Sequence, residues 1–106
     1  MIKPRQQYEA RSKIAKALAH PTRLLLLDVL MEKDLCVSEM TELADADQST
    51  VSKHLAILKD AGFVTVERKR AMSVYSIRCQ CLDQFFECIE TVLKENLRAQ
   101  QKLVQL

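Results

Sequence analysis

Three thiols late in the chain carry its most reactive chemistry. Cys79 and Cys81 bracket Gln80, Cys88 follows seven positions after Cys81, and a fourth thiol, Cys36, stands alone. Thiolates are soft ligands, so this set suits a thiophilic ion or reversible thiol chemistry. A second group lies between Asp47 and Gly62, in DQSTVSKHLAILKDAG. Gln48, Ser49, Thr50, Ser52 and Lys53 are small or polar, as a helix entering a DNA major groove requires at its N-terminal end. Gln48 can pair bidentately with adenine, the hydroxyls can reach phosphates or base edges, and Lys53 adds a phosphate or guanine contact. His54 is open to two readings, a contact to the DNA backbone or a filler at the edge of helix packing. Arg68, Lys69 and Arg70 follow and suit phosphate or the minor groove. The bland alternative is a solvated amphipathic helix beside a basic hairpin.

The elements that must position these groups are legible from periodicity. Tyr8, Arg11, Ala15 and Leu18 predict a helix from about Pro4 to Ala19. Pro21 suits the first position of a second helix, which carries Leu24 to Met31 and stops near Asp34. Ser38 is a good N-cap for a short third helix, Glu39 to Ala44, and Asp47 or Ser49 can cap the fourth. In that fourth helix Val51, Leu55, Leu58 and Ala61 form the buried stripe, and Gly62, the only glycine, stops it. Phe63 to Val66 starts a strand, Arg68 to Ala71 makes the turn, and Ser73 to Ile77 returns. A long last helix, from Leu82 to near Lys102, bears a stripe of Leu82, Phe86, Ile89, Leu93 and Leu97. The expected fold is mainly α with a small β-hairpin, a winged helix-turn-helix of order α-α-α-α-β-β-α.

Composition agrees. At 106 residues the chain is one expected domain, 1–106, and one this short buries only about two-thirds of its unfolded surface, so dimerisation is a natural way to bury more. One Gly, two Pro and 48% apolar residues favour helices over many turns. The net charge of +2 conceals a pattern: residues 1–23 hold six basic side chains against one acidic, 24–47 one against seven, and 48–78 six against two. Two basic segments around an acidic one suggest a charged footprint. No apolar run reaches the roughly 20 residues of a membrane span, and the polar, basic start has no secretory h-region, so the expected location is the cytoplasm. There the cysteines stay reduced, and metal binding or thiol chemistry is favoured over a disulfide framework.

The segments Ala17-Leu18-Ala19-His20-Pro21-Thr22-Arg23-Leu24, Leu35-Cys36-Val37, Gln48 to Leu55, Gly62-Phe63-Val64 and Tyr75-Ser76-Ile77 resemble the ArsR/SmtB repressors, over about residues 10–97. The resemblance implies a homodimer joined through its first and last helices. It also implies binding to a double-stranded DNA operator with no cofactor, and release when an inducer binds. The wing departs from the family by being about one residue short and lacking a glycine at its tip.

The resemblance also bears on the thiols. Arsenic-responsive members often carry Cys-Val-Cys-x-x-Cys where this chain has Cys36-Val37-Ser38-Glu39-Met40-Thr41, so a three-thiolate site there is not expected, and Cys36 reads as a half-buried structural residue. Zinc-responsive members use Asp-x-His before the last helix plus a His and a Glu from the partner. The matching positions here are Cys79 and Cys81, with Val92 and Glu95. On one helix Cys81 and Cys88 would be about 10.5 Å apart, whereas thiolates on one ion lie within about 4 Å. Two antiparallel helices crossing near Phe85 would bring Cys81 of one subunit to Cys88 of the other. Cys79 joins them only from an extended segment before the helix. The expected metal ligands are therefore Cys79, Cys81 and a partner's Cys88, with As(III) the favoured inducer and antimonite, lead or cadmium close behind.

Other functions stay open. The same repressor could answer to oxidation or persulfide, although persulfide-responsive relatives place a cysteine where this chain has Asp28. It could instead answer to a metabolite, with incidental thiols. An enzyme is not expected, because the chain has neither a Cys-x-x-Cys on a βαβ unit nor a Gly-rich phosphate loop.

Overall fold

The computed structural model describes residues 1–105. Five helices and a small antiparallel sheet follow one another as α1 (Arg5–Leu18), α2 (Pro21–Glu32), β1 (Leu35–Cys36), α3 (Val37–Ala44), α4 (Gln48–Ala61), β2 (Val64–Lys69), β3 (Met72–Ile77) and α5 (Leu82–Gln105). This is the winged helix-turn-helix expected from periodicity, with one strand more. The sheet has three strands in the order β1-β3-β2, and β1 pairs Leu35 with Tyr75 and Cys36 with Val74.

Local chemistry accounts for most boundaries. α2 starts at Pro21, and the His20 Nδ1 accepts the Thr22 N–H at 3.1 Å, an N-cap supplied by a histidine. α3 starts at Val37, one residue earlier than a Ser38 cap allows. Cys36 holds the cap position, and Glu39 reaches back to accept the Cys36 N–H at 3.0 Å, one arm of a capping box. The reason is β1, which fixes Cys36 in an extended conformation and leaves Ser38 inside the first turn. α4 ends in a Schellman arrangement: Gly62 N–H bonds Lys59 O and Phe63 N–H bonds Leu58 O, both at 3.0 Å. Gly62 has φ of +94°, a region costly for any residue with a Cβ.

The hairpin is longer and its turn tighter than Arg68 to Ala71. Lys69 pairs with Met72, so only Arg70 and Ala71 turn, and Arg68 and Lys69 belong to β2. A two-residue hairpin turn demands positive φ, and Arg70 supplies it at +58° without being glycine.

The core lies where α1, α2, α3, α4 and the sheet meet. Leu26, Leu27, Met40, Val51, Leu55 and Leu58 are fully buried there, with Leu82 at the root of α5 joining them. Beyond Phe86, α5 leaves the core. It runs about 36 Å at 1.5 Å per residue. The radius of gyration is accordingly 16.9 Å, against about 13 Å for a compact chain of this length.

Candidate nucleic-acid interface and thiol pair

The helix-turn-helix is α3 and α4, joined by a turn in which Asp45 is left-handed at φ of +50°. Asp47 then caps α4: its carboxylate accepts the Thr50 N–H at 2.8 Å and the Ser49 hydroxyl at 3.1 Å. The Thr50 N–H, followed by the hydroxyl bonds, holds this carboxyl below its ordinary range. The cap therefore stays ionised at neutral pH. It fixes the N-terminal end of α4, where Gln48, Ser49, Ser52 and Lys53 are exposed and Thr50 is half-buried. Opposite them Val51, Leu55 and Leu58 lock the helix into the core. Ala61 closes that stripe only half-buried. On the wing, Arg68 and Lys69 at the end of β2 and Arg70 at the turn are all exposed.

His54 turns inward. Its ring lies 4.3 Å from that of His20, and its Nδ1 is buried with no hydrogen-bond partner among the described residues. The Nε of Arg23 is in the same condition. Burial, and then the charges of His20 and Arg23, push the His54 pKa down, so the imidazole is neutral at pH 7. The His20–His54 contact was not read from the sequence. The signal available was weak: one histidine just ahead of Pro21 and another on the flank of the α4 stripe.

The thiols fall into two places. Cys79 and Cys81 lie in the short connection between β3 and α5, and their sulfurs approach to 2.6 Å. Leu82 N–H bonds back to Cys79 O at 3.3 Å, so the connection is a turn that puts both side chains on one side. This is the placement before the helix that lets Cys79 join Cys81. The bond to the Cys79 sulfur, ahead of burial and charge, raises the Cys81 pKa, so this thiol keeps its proton at neutral pH until a ligand displaces it. Cys88 is exposed on α5. Among the described residues, no three His, Cys, Asp or Glu of one chain gather as a metal site. Cys36 is buried beneath β3, with its sulfur 3.2 Å from the Ser38 hydroxyl. Glu95 and Val92 lie farther along α5, both exposed.

Comparison with known proteins gives a consistent picture. Residues 20–66 match the family described as bacterial regulatory protein, arsR family. The chain is 38% identical over 74 residues to the HTH-type transcriptional repressor SmtB of Mycobacterium tuberculosis; the match covers 70% of this chain and spans about half, 55%, of that repressor's length. It is 37% identical over 73 residues to an HTH-type transcriptional regulator of Methanocaldococcus jannaschii, covering 68% of this chain and 82% of that protein. Among solved structures, the homodimeric winged helix-turn-helix DNA-binding domain of a possible ArsR-family regulator from Mycobacterium bovis superposes with a TM-score of 0.76. The identity there is 26%, covering 89% of this chain and 87% of that domain. These relatives regulate transcription or bind DNA; none is an enzyme.

Proposed function

The chain belongs to the ArsR family of bacterial regulatory proteins, and from that premise we propose that it is a homodimeric, cytoplasmic, DNA-binding repressor released from its operator by a thiophilic inducer. The observation that carries the DNA reading is the capped N-terminal end of α4, where Gln48, Ser49, Ser52 and Lys53 face outward while Val51 and Leu55 anchor the helix. In this reading Gln48 reads a base, the hydroxyls of Ser49, Thr50 and Ser52 and the Lys53 ammonium hold phosphate or base edges, and Arg68, Lys69 and Arg70 hold the flanking backbone. His54 acts behind this surface, by packing on His20. No helix among the described residues is long and apolar enough to cross a membrane.

The dimer reading is supported by the exposed face of α5, where Ile89, Leu93 and Leu97 are 43%, 56% and 56% exposed in a single chain. Such a stripe is costly to leave in water. A second copy, through α1 and α5, would cover it and set the spacing between two α4 helices.

The inducer reading rests on the 2.6 Å approach of Cys79 and Cys81. Two thiols this close, beside an exposed Cys88, fit a soft ion such as trivalent arsenic, with Cys88 of the partner subunit as third ligand. An inducer bound there would act on operator affinity through α5, without touching α4. The test is a gel-shift on the protein's own promoter with arsenite, antimonite, cadmium, lead, zinc and persulfide. Release by a thiophilic ion in wild type and its loss in Cys81→Ser are expected; release that survives Cys81→Ser would end the thiol reading.

The same sulfur approach favours a second reading, in which peroxide or persulfide joins Cys79 and Cys81 in a reversible cross-link. Mass spectrometry after each treatment separates the two. A cross-link that abolishes operator binding, with arsenite inert, would favour oxidation over the ion.

A further inference from the structure

The thiol pair does not stand on open surface. Cys79 and Cys81 help to line a cleft of about 340 Å³ between α1 and the root of α5, whose remaining walls include Ile14, Leu18, Phe63, Leu82 and Phe85. Its one charged neighbour is Arg11, whose guanidinium is directed over the Tyr8 ring, 5.5 Å from the centroid. A cavity lined by Leu, Ile and Phe stays dry and accepts a small aromatic ring at about 150 Å³.

We propose that this site is built for a trivalent arsenical that already carries one apolar substituent, with Cys79 and Cys81 as its only two ligands and the substituent seated in the α1–α5 cleft. The inference rests on the thiol-inducer reading above and deepens it by naming the chemical class of the inducer. Three observations converge. Two thiols of one chain come together, and a third does not. A mono-organo trivalent arsenic needs two sulfurs, because carbon fills its third valence. The space beside the two sulfurs is apolar, so it rewards a hydrocarbon group and offers nothing to a third hydroxyl.

The chemistry balances without a redox partner. An aryl arsenous acid, R–As(OH)₂, meets the two thiols; two As–O bonds break and two As–S bonds form. Each thiol proton leaves with a hydroxyl as water, and arsenic remains trivalent. The raised pKa of Cys81 is no obstacle, because its proton departs in that water. Ile14 and Phe85, exposed at the rim, belong to the helices proposed to join the dimer. An aryl group between them would wedge α1 against α5, which gives the inducer a route to the spacing of the two reading helices.

The test titrates the reduced full chain with phenylarsine oxide, methylarsenous acid and arsenite. Binding is read by intact mass and by competition with dithiothreitol, which supplies two thiols without a cleft. One phenylarsenic per chain is expected in wild type, none in Cys81→Ser, and affinity within about twofold of wild type in Cys88→Ser. The protein should prefer phenyl over methyl by about tenfold or more beyond the preference of dithiothreitol, a gain that burial of ring surface supplies. Ile14→Ser, a change at an exposed position, should erase that preference and leave methyl binding intact. A phenyl adduct that requires Cys88, or a wild-type phenyl preference no greater than that of dithiothreitol, would overturn the inference. Arsenite that still binds through all three thiols in that case would leave the broader inducer reading standing; failure of every arsenical to add to Cys79 and Cys81 would remove both.

Discussion

Helices α4 and α5 carry apolar stripes of similar regularity, yet the chain treats them differently. In α4, Val51, Leu55 and Leu58 are completely buried against α1, α2 and α3, and the polar remainder faces out. In α5 only Leu82 is buried and Phe86 half-buried, and from Ile89 onward the stripe meets water. The first helix is completed by its own chain, so its outer face is free for a ligand of another kind. The second is incomplete, and its apolar face is itself the surface to be covered. The thiol pair sits at the junction, just before α5 leaves the core. A bound inducer there would touch the part of the molecule that is least held by its own fold.

Mutations can break this contrast at either end. The largest effect is expected in the head: Leu58→Ala should cost about 2–5 kcal/mol of unfolding free energy, since a fully buried leucine leaves a cavity as well as lost transfer energy. Urea denaturation measures it. Ile89→Asp combined with Leu93→Asp should leave the folded head intact by circular dichroism. It should shift the sedimentation coefficient to that of a monomer and weaken operator binding about 100-fold or more, because two reading helices no longer act together. A dimer surviving this change would contradict the assignment of the α5 face.

Smaller effects separate the parts of the reading helix. Gln48→Ala should lose about 1–3 kcal/mol of discrimination at a single operator base pair, whereas Lys53→Ala should weaken all sequences alike and reduce the salt slope by about 1. Binding titrations on operator variants at several salt concentrations tell the two apart. The smallest effect concerns His54. Its folded pKa lies below the ordinary value near 6.5, so the unfolded chain takes up the proton first as pH falls. Stability is then full above about pH 6.5 and declines through the range below it. The melting temperature should drop by a few degrees between pH 7 and 5, and His54→Leu should flatten that profile.

Much of the α4–α5 contrast was legible early, and some of the detail was not. The α4 stripe, the Asp47 cap and the Gly62 stop are local signals, each set by residues within a few positions of one another. The α5 stripe was equally clear, as was its excess over what one chain could cover. β1 escaped because two residues show no period; Leu35 and Cys36 become a strand only by pairing with Tyr75 and Val74, some forty positions away. The same strand moved the α3 cap from Ser38 to Cys36. The wing turn tightened because the β2–β3 register places Lys69 opposite Met72, which draws Arg68 and Lys69 into the strand and forces Arg70 to positive φ.

By itself the sequence determined the five helices, the hairpin, the polar end of α4 and the presence of three late thiols, because periodicity, caps and composition act over one or two turns of chain. Only the tertiary structure decided which groups meet. It brought Cys79 within 2.6 Å of Cys81 on a turn, left Cys88 apart on α5, set His54 against His20, and opened an apolar cleft beside the thiol pair. Those outcomes follow from how α1, α2, α4 and the root of α5 pack around a shared core, and side-chain distances across such a core depend on all the elements at once.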